Sequence, residues 1–300
     1  MDTKDLWVLD GGMGRELARR GAPFRQPEWS ALALMEAPET VREVHQAYVA
    51  SGARVITTNS YALVPFHIGD ERFAADGERL AALAGQLARD VADGQAGAVQ
   101  VAGSLPPLFG SYRADLFEAD RVSELATPLI RGLSPHVDIW LAETMSLIAE
   151  PLALKALLPE DGKPFWVSFT LEDEAPGSEP TLRSGERVAD AIDSLVPAGV
   201  SAILFNCCQP EVIEGALKVA SARLQALGRT DIRLGAYANA FPPQPKEATA
   251  NDGLDEIRAD LGPQDYLGWA ERWRGAGANL IGGCCGIGPE HIQALSSRLR

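Results

Sequence analysis

Eight times along the 300 residues a short apolar run stops at a polar or glycine-containing turn and gives way to a segment of helical period. The runs are 6–9, 54–58, 98–102, 138–142, 165–169, 202–205, 233–238 and the one that leads into Gly282-Gly283-Cys284-Cys285-Gly286. Between them the spacing of apolar residues predicts helices over 38–51, 76–92, 120–131, 147–158, 187–195, 211–227 and 265–274, and Pro289 opens a last one. Apolar runs without in-out alternation suit a parallel sheet buried on both faces, with the helices as crossovers. Eight such units in this length predict a (β/α)8 TIM barrel, a single domain over residues 1–300. A doubly wound open sheet is the structural alternative, and the repeat count favours the barrel. No linker divides the chain. The long Pro-rich, acidic stretch 241–262 and the shorter 172–179 follow strand ends and read as loops over a substrate.

A barrel keeps its chemistry at the C-terminal ends of its strands. The polar residues there are Asp10, Thr58, Asn59, Ser104, Glu143, Thr144, Ser168, Asn206, Cys207, Tyr237, Asn239, Cys284 and Cys285. Ser, Thr and Asn also cap loose backbone at strand ends, so Thr58, Ser104 and Asn206 carry that reading equally. The cysteines say more. An isolated Cys is usually a small buried hydrophobe, and Cys208 is read that way. Cys284 and Cys285 stand in a glycine-flanked turn, and Cys207 ends another apolar run. Three thiolates from two strand ends make an open zinc site, since structural zinc takes four protein ligands and catalytic zinc three. A disulfide between the adjacent Cys284 and Cys285 strains its geometry.

With 46% hydrophobic residues the chain can bury a large core. The N-terminus lacks the basic and apolar regions of a signal peptide, and no apolar run is long enough to cross a bilayer, so a cytoplasmic location is expected. In that reducing compartment the four cysteines are thiols or ligands rather than a disulfide framework. The formal charge of −14 opposes binding to nucleic acid or an anionic membrane and is compatible with a cationic small molecule. No sequence feature specifies an oligomeric state.

Asp10-Gly11-Gly12-Met13-Gly14, His45-Gln46-Ala47-Tyr48 followed by Gly52-Ala53, Asn206-Cys207 and Gly282-Gly283-Cys284-Cys285, in this order over essentially the whole chain, resemble the homocysteine S-methyltransferase family. The resemblance implies a zinc-containing (β/α)8 barrel with Cys207, Cys284 and Cys285 as Zn2+ ligands. It also implies that Asp10 and Glu143 hold the substrate amino group and that backbone N–H groups around Gly11 and Gly12 take its carboxylate. No further catalytic residue is implied, because the nucleophile is the substrate's own thiolate. A free thiol titrates near ~8.5 and is mostly protonated at neutral pH, a limit that coordination to zinc removes. Three departures from the family pattern fall at the expected active face: Arg15 in place of Thr, Leu105-Pro106-Pro107 in place of a Gly-Pro turn, and Ala238 in place of Pro.

The chain ends with the helix after the eighth strand, so no second module is expected to present methylcobalamin or folate, and the donor is expected to diffuse in. A sulfonium, S-methylmethionine first and S-adenosylmethionine second, suits a net acidic protein, with Tyr61, Tyr237 and Asn239 as donor-site residues. Cation–π contacts contribute about 0.5 to 2 kcal/mol each. Methionine is the expected product. A selenocysteine or other thiol or selenol methyltransferase is the near alternative. A zinc hydrolase is disfavoured by four His against three thiolate candidates. A non-catalytic zinc-thiolate redox sensor requires exposed cysteines and no substrate cavity.

Overall fold

The apolar runs pair as parallel strands in the order β1-β8-β7-β6-β5-β4-β3-β2. They are β1 (Trp7–Val8), β2 (Val55–Thr57), β3 (Gln100–Leu105), β4 (Ile139–Met145), β5 (Phe165–Phe169), β6 (Ala202–Asn206), β7 (Arg233–Tyr237) and β8 (Leu280–Ile281). The computed structural model describes residues 5–244 and 256–299. Residues 1–4, on which the leader expectation partly rests, and the middle of the 241–262 connection lie outside the described residues. The sheet closes on itself through the bridge Leu9↔Val55, where the Arg54 N–H donates to Val8 O at 2.7 Å and the Asp10 N–H to Val55 O at 3.1 Å. The result is a single-domain (β/α)8 barrel.

Continuous apolar runs follow from burial on both strand faces. Trp7, Leu9, Val55, Ala102, Ile139, Leu141, Trp166, Ala202, Leu204, Tyr237 and Leu280 form one cluster that fills the barrel. Their neighbours Val8, Ile56, Val101, Trp140, Val167, Ile203, Ala236 and Ile281 face outward into the layer shared with the helices. Large Trp7 and Trp166, with centroids 6.5 Å apart, are balanced by small Ala102 and Ala202, so the barrel interior is packed with side chains.

The predicted crossover helices are present, with three additions. Met13–Arg19, Ser30–Glu36 and Pro65–Ile68 are short helices inside the connections after β1 and β2, where glycines and prolines masked the period. The second crossover helix, Asp70–Asp93, starts earlier than expected, with acidic Asp70 and Glu71 in its first turn. β4 continues through Glu143 and Thr144 to Met145 across a register shift. β8 stops at Ile281, which leaves Cys284 and Cys285 on the turn that follows. The 172–179 segment sits in a hairpin-like loop closed by the antiparallel bridge Leu171↔Leu182. Among the described residues no helix is long and apolar enough to cross a membrane.

Candidate active site

The turn after β8 is held by its neighbours on both sides. The Gly283 N–H donates to Asp10 O (2.9 Å), the Cys284 N–H to Ala238 O (2.9 Å) and the Ala240 N–H to Cys285 O (2.8 Å). Gly12 lies so close that a Cβ there would be 2.5 Å from Cys284 O, which explains a glycine at that position. Cys207 follows β6 with φ +51°, a strained value for a non-glycine residue, and its N–H donates to Tyr237 O at 3.3 Å. The Sγ atoms of Cys207, Cys284 and Cys285 thereby lie within 4.8 Å of one another. Tetrahedral zinc with Zn–S bonds of about 2.3 Å places its sulfurs about 3.8 Å apart, so the cluster fits that ion with little adjustment. Hydrogen bonds from Cys284 and Cys285 pull the Cys207 thiol well below its ordinary pKa and leave the other two raised. Cys208 is fully buried in the outer core, and burial pushes its thiol up.

Two carboxylates share this mouth. Asp10 accepts the Thr57 N–H at 2.7 Å on one oxygen and the Thr57 hydroxyl at 3.2 Å on the other. Glu143 accepts the Ser104 hydroxyl at 2.5 Å and the Tyr237 hydroxyl at 3.3 Å. Burial, above all, raises both to about 7, and negative neighbours add to it: Glu143 acts on Asp10, and Cys207 on Glu143. Two buried acids whose charged neighbours are negative make a receptor for a positive group.

The remaining strand-end residues sort into frame and site. Asn206 braces three strands: its Oδ1 accepts the Thr144 N–H (3.0 Å) and the Ser168 hydroxyl (2.7 Å), and its amide donates to Thr144 Oγ1 (2.8 Å). The brace holds Thr144 at φ +59°. The Ser104 N–H donates to Thr58 Oγ1 at 3.0 Å, and the Ser60 hydroxyl to Ser104 O at 2.8 Å, while Asn59 donates to Ser30 O at 3.1 Å. Of the three expected donor-site residues, Tyr237 is committed to Glu143, and Asn239 places Nδ2 3.9 Å from Cys207 Sγ. Tyr61 bonds Ser111 at 2.6 Å and is half-buried. The Gly12 N–H is spent on Ile287 O at 2.9 Å, so of the two glycine amides expected to take the substrate carboxylate this one is already bonded.

A model of the homocysteine S-methyltransferase family matches residues 7–299. The chain belongs to that family. Methyl transfer to homocysteine is its reaction class, and its substrates are small molecules. It is 33% identical to the homocysteine S-methyltransferase of Escherichia coli (strain K12), over 99% of this chain and 96% of that one. It is 26% identical to a selenocysteine Se-methyltransferase of Brassica oleracea var. italica, over 99% and 90% of the two chains. Its fold is similar to the metallated form of the homocysteine methyltransferase MmuM from Escherichia coli, with a TM-score of 0.78 at 31% identity, covering 99% of this chain and 97% of that one.

This homocysteine S-methyltransferase family member also brings to the thiols residues that the sequence did not single out. The Tyr112 hydroxyl is 3.1 Å from Cys207 Sγ, and the Arg183 guanidinium lies 4.6 Å from the Tyr112 ring centroid. Arg183 is paired with Asp173 at 2.8 Å in a buried ion pair. Gly110 before Tyr112 was the one available signal. Of the departures, Arg15 lies over the Phe241 ring at 5.4 Å. Ala238 lends its carbonyl to the cysteine turn. The turn that follows Leu105-Pro106-Pro107 is tied down by the Leu108 N–H, which donates to Glu150 at 2.8 Å.

Proposed function

We propose that the chain transfers a methyl group from a sulfonium donor, S-methylmethionine before S-adenosylmethionine, to the thiol of homocysteine, with Zn2+ held by Cys207, Cys284 and Cys285. The observation that carries this reading is the meeting of three thiols within 4.8 Å with the buried acids Asp10 and Glu143 on one barrel mouth. A zinc ion at the thiols would deprotonate an incoming thiol at neutral pH and keep its sulfur anionic. Asp10 and Glu143 pair with the substrate ammonium, and the Gly11 region takes its carboxylate. These contacts fix the sulfur on a line with the donor methyl, at the about 3 to 3.5 Å that a displacement requires. The new bond forms from homocysteine sulfur to the methyl carbon while the donor's sulfur–methyl bond breaks. Its electron pair stays on the departing sulfide, so S-methylmethionine and homocysteine each become methionine.

The donor assignment is supported by chemistry and charge. A sulfonium methyl is already electrophilic, and its positive charge disappears in the transfer. The chain carries a formal charge of −14, and Tyr61 offers an aromatic face near the thiols, with Cys207 acting on its hydroxyl. Homocysteine with S-methylmethionine should yield methionine without added cobalamin, and betaine should serve far less well. Assays of methionine formation over a panel of donors test this; betaine as the better donor would overturn the donor assignment and leave the metal site standing. The kinship with a selenocysteine Se-methyltransferase keeps a selenol acceptor as the second reading, and the ratio of kcat/KM for homocysteine and selenocysteine decides between them. A zinc-thiolate redox sensor fits poorly because two buried carboxylates with no role in such a sensor adjoin the cluster, although only Cys207 of its three thiols is buried and Cys284 and Cys285 are half-buried.

A further inference from the structure

The Tyr112 hydroxyl lies 3.1 Å from Cys207 Sγ, and the residue is held there with deliberate-looking geometry. Tyr112 has φ +69° and follows Gly110 at φ +127°, so the loop after β3 is bent against ordinary backbone preference to aim one side chain. Two further bonds fasten that loop: the Leu108 N–H donates to Glu150, and Ser111 pairs with Tyr61. The ring lies against the Arg183 guanidinium at 4.6 Å. Arg183 and Asp173 form an ion pair at 2.8 Å with side chains 3% and 0% exposed, the kind of buried pair whose loss of one partner is costly.

The same pair grips the backbone of the ligand residue from the other side. Arg183 Nε donates to Thr170 Oγ1 (3.1 Å), whose hydroxyl donates to Cys207 O (3.2 Å). Asp173 accepts the N–H groups of Gln209 (3.0 Å) and Gln244 (3.3 Å), so the loops after β5, β6 and β7 and the Tyr112 ring all bear on one ion pair. Among the described residues outside the cysteines, the side chains hydrogen-bonded to the thiol cluster, those of Tyr112 and Asn239, both reach Cys207. A cysteine that ligates a metal is a thiolate with no proton to give, so in the loaded site the phenol donates.

We infer that Tyr112 is a positioning residue of the metal centre: its hydroxyl donates to the Cys207 sulfur, the Arg183–Asp173 pair fixes its ring, and Cys207 is thereby a weaker electron donor to the ion than Cys284 or Cys285. The inference rests on the proposed three-cysteine metal site. Three thiolates and an incoming fourth crowd negative charge onto one ion, and a hydrogen bond to one of them spreads that charge. Outer hydrogen bonds of this kind alter metal affinity or activity by about 10- to 100-fold.

The test replaces zinc with Co2+ and records the sulfur-to-cobalt charge-transfer absorption of the wild type, Tyr112→Phe and Arg183→Lys. Phenylalanine keeps the ring and its stack on Arg183 and removes only the O–H. Tyr112→Phe should load cobalt fully and move the band to longer wavelength, because a thiolate freed of its hydrogen bond gives up an electron more easily. Arg183→Lys, which keeps the hydroxyl but loosens the ring, should move it the same way by less. Identical spectra for wild type and Tyr112→Phe at full occupancy would overturn the inference alone, as would a folded Tyr112→Phe protein that no longer loads the metal. Absence of the band in the wild type would overturn the metal reading beneath it.

Discussion

Purified protein should carry about one zinc per chain, and serine at Cys207, Cys284 or Cys285 should abolish both metal binding and turnover. Each substitution replaces one of three anionic ligands by a hydroxyl that stays protonated at neutral pH, and among the described residues no other His, Cys, Asp or Glu joins the cluster to close the shell around a two-thiolate remnant. Serine at Cys208 should behave differently. That thiol faces the outer core beside the Leu171 backbone and stands apart from the cluster, so the change costs at most about 1 to 3 kcal/mol of stability, the cost of burying a hydroxyl, and leaves metal content intact. Elemental analysis of the four variants beside a turnover assay checks both halves. Full zinc retention in Cys284→Ser would sink the ligand assignment.

Glu143→Gln should weaken the use of homocysteine by about 1.5 to 3 kcal/mol, the size of one charge-assisted hydrogen bond, which is about 10- to 150-fold in kcat/KM. Zinc content should not change. An acceptor without the amino group, 4-mercaptobutanoic acid, should lose far less, and equal losses for both acceptors would show that Glu143 does something else. The pH dependence has a definite sign. In the unliganded site Asp10 and Glu143 each titrate at about 7, so below that pH both are neutral and cannot pair with an ammonium. Wild-type kcat/KM for homocysteine should therefore rise with pH toward neutrality, and the Glu143 step should fall below its metal-free value because bound Zn2+ would offset the Cys207 charge that helps to raise it. The des-amino acceptor should show a flatter profile over the same range.

The barrel was legible because each buried strand is an unbroken apolar run with a polar stop, and that stop falls where the chemistry sits. Asp10 and Glu143 could be placed at the barrel mouth for the same reason, while the substrate role proposed for them comes from the family resemblance; the three thiols could be grouped because two cysteines in a glycine turn have few packing explanations. What stayed hidden has equally physical causes. Met13–Arg19 and Ser30–Glu36 are helices within connections, outside the crossover rhythm that made the others visible. Tyr112 meets Cys207 across 95 positions of sequence, through a loop whose course depends on two left-handed residues, and no periodicity encodes such a contact. Asn206 shows the converse. At a strand end it looked as much like a site residue as a cap, and its three bonds to Thr144 and Ser168 place it in the frame.

Asp10 sits at the seam of the barrel. β1 and β2 meet through the Leu9↔Val55 bridge, and the Asp10 carboxylate reaches over to take both the N–H and the hydroxyl of Thr57. The side chain proposed to hold the substrate ammonium is therefore also a stitch across the seam of the sheet. Glu143 stands in mid-sheet, anchored by the hydroxyls of Ser104 and Tyr237. The two acids are then unequal for any redesign of acceptor preference. Changes around Glu143 alter recognition with the seam untouched, whereas a change at Asp10 alters recognition and loosens the closure of the barrel together.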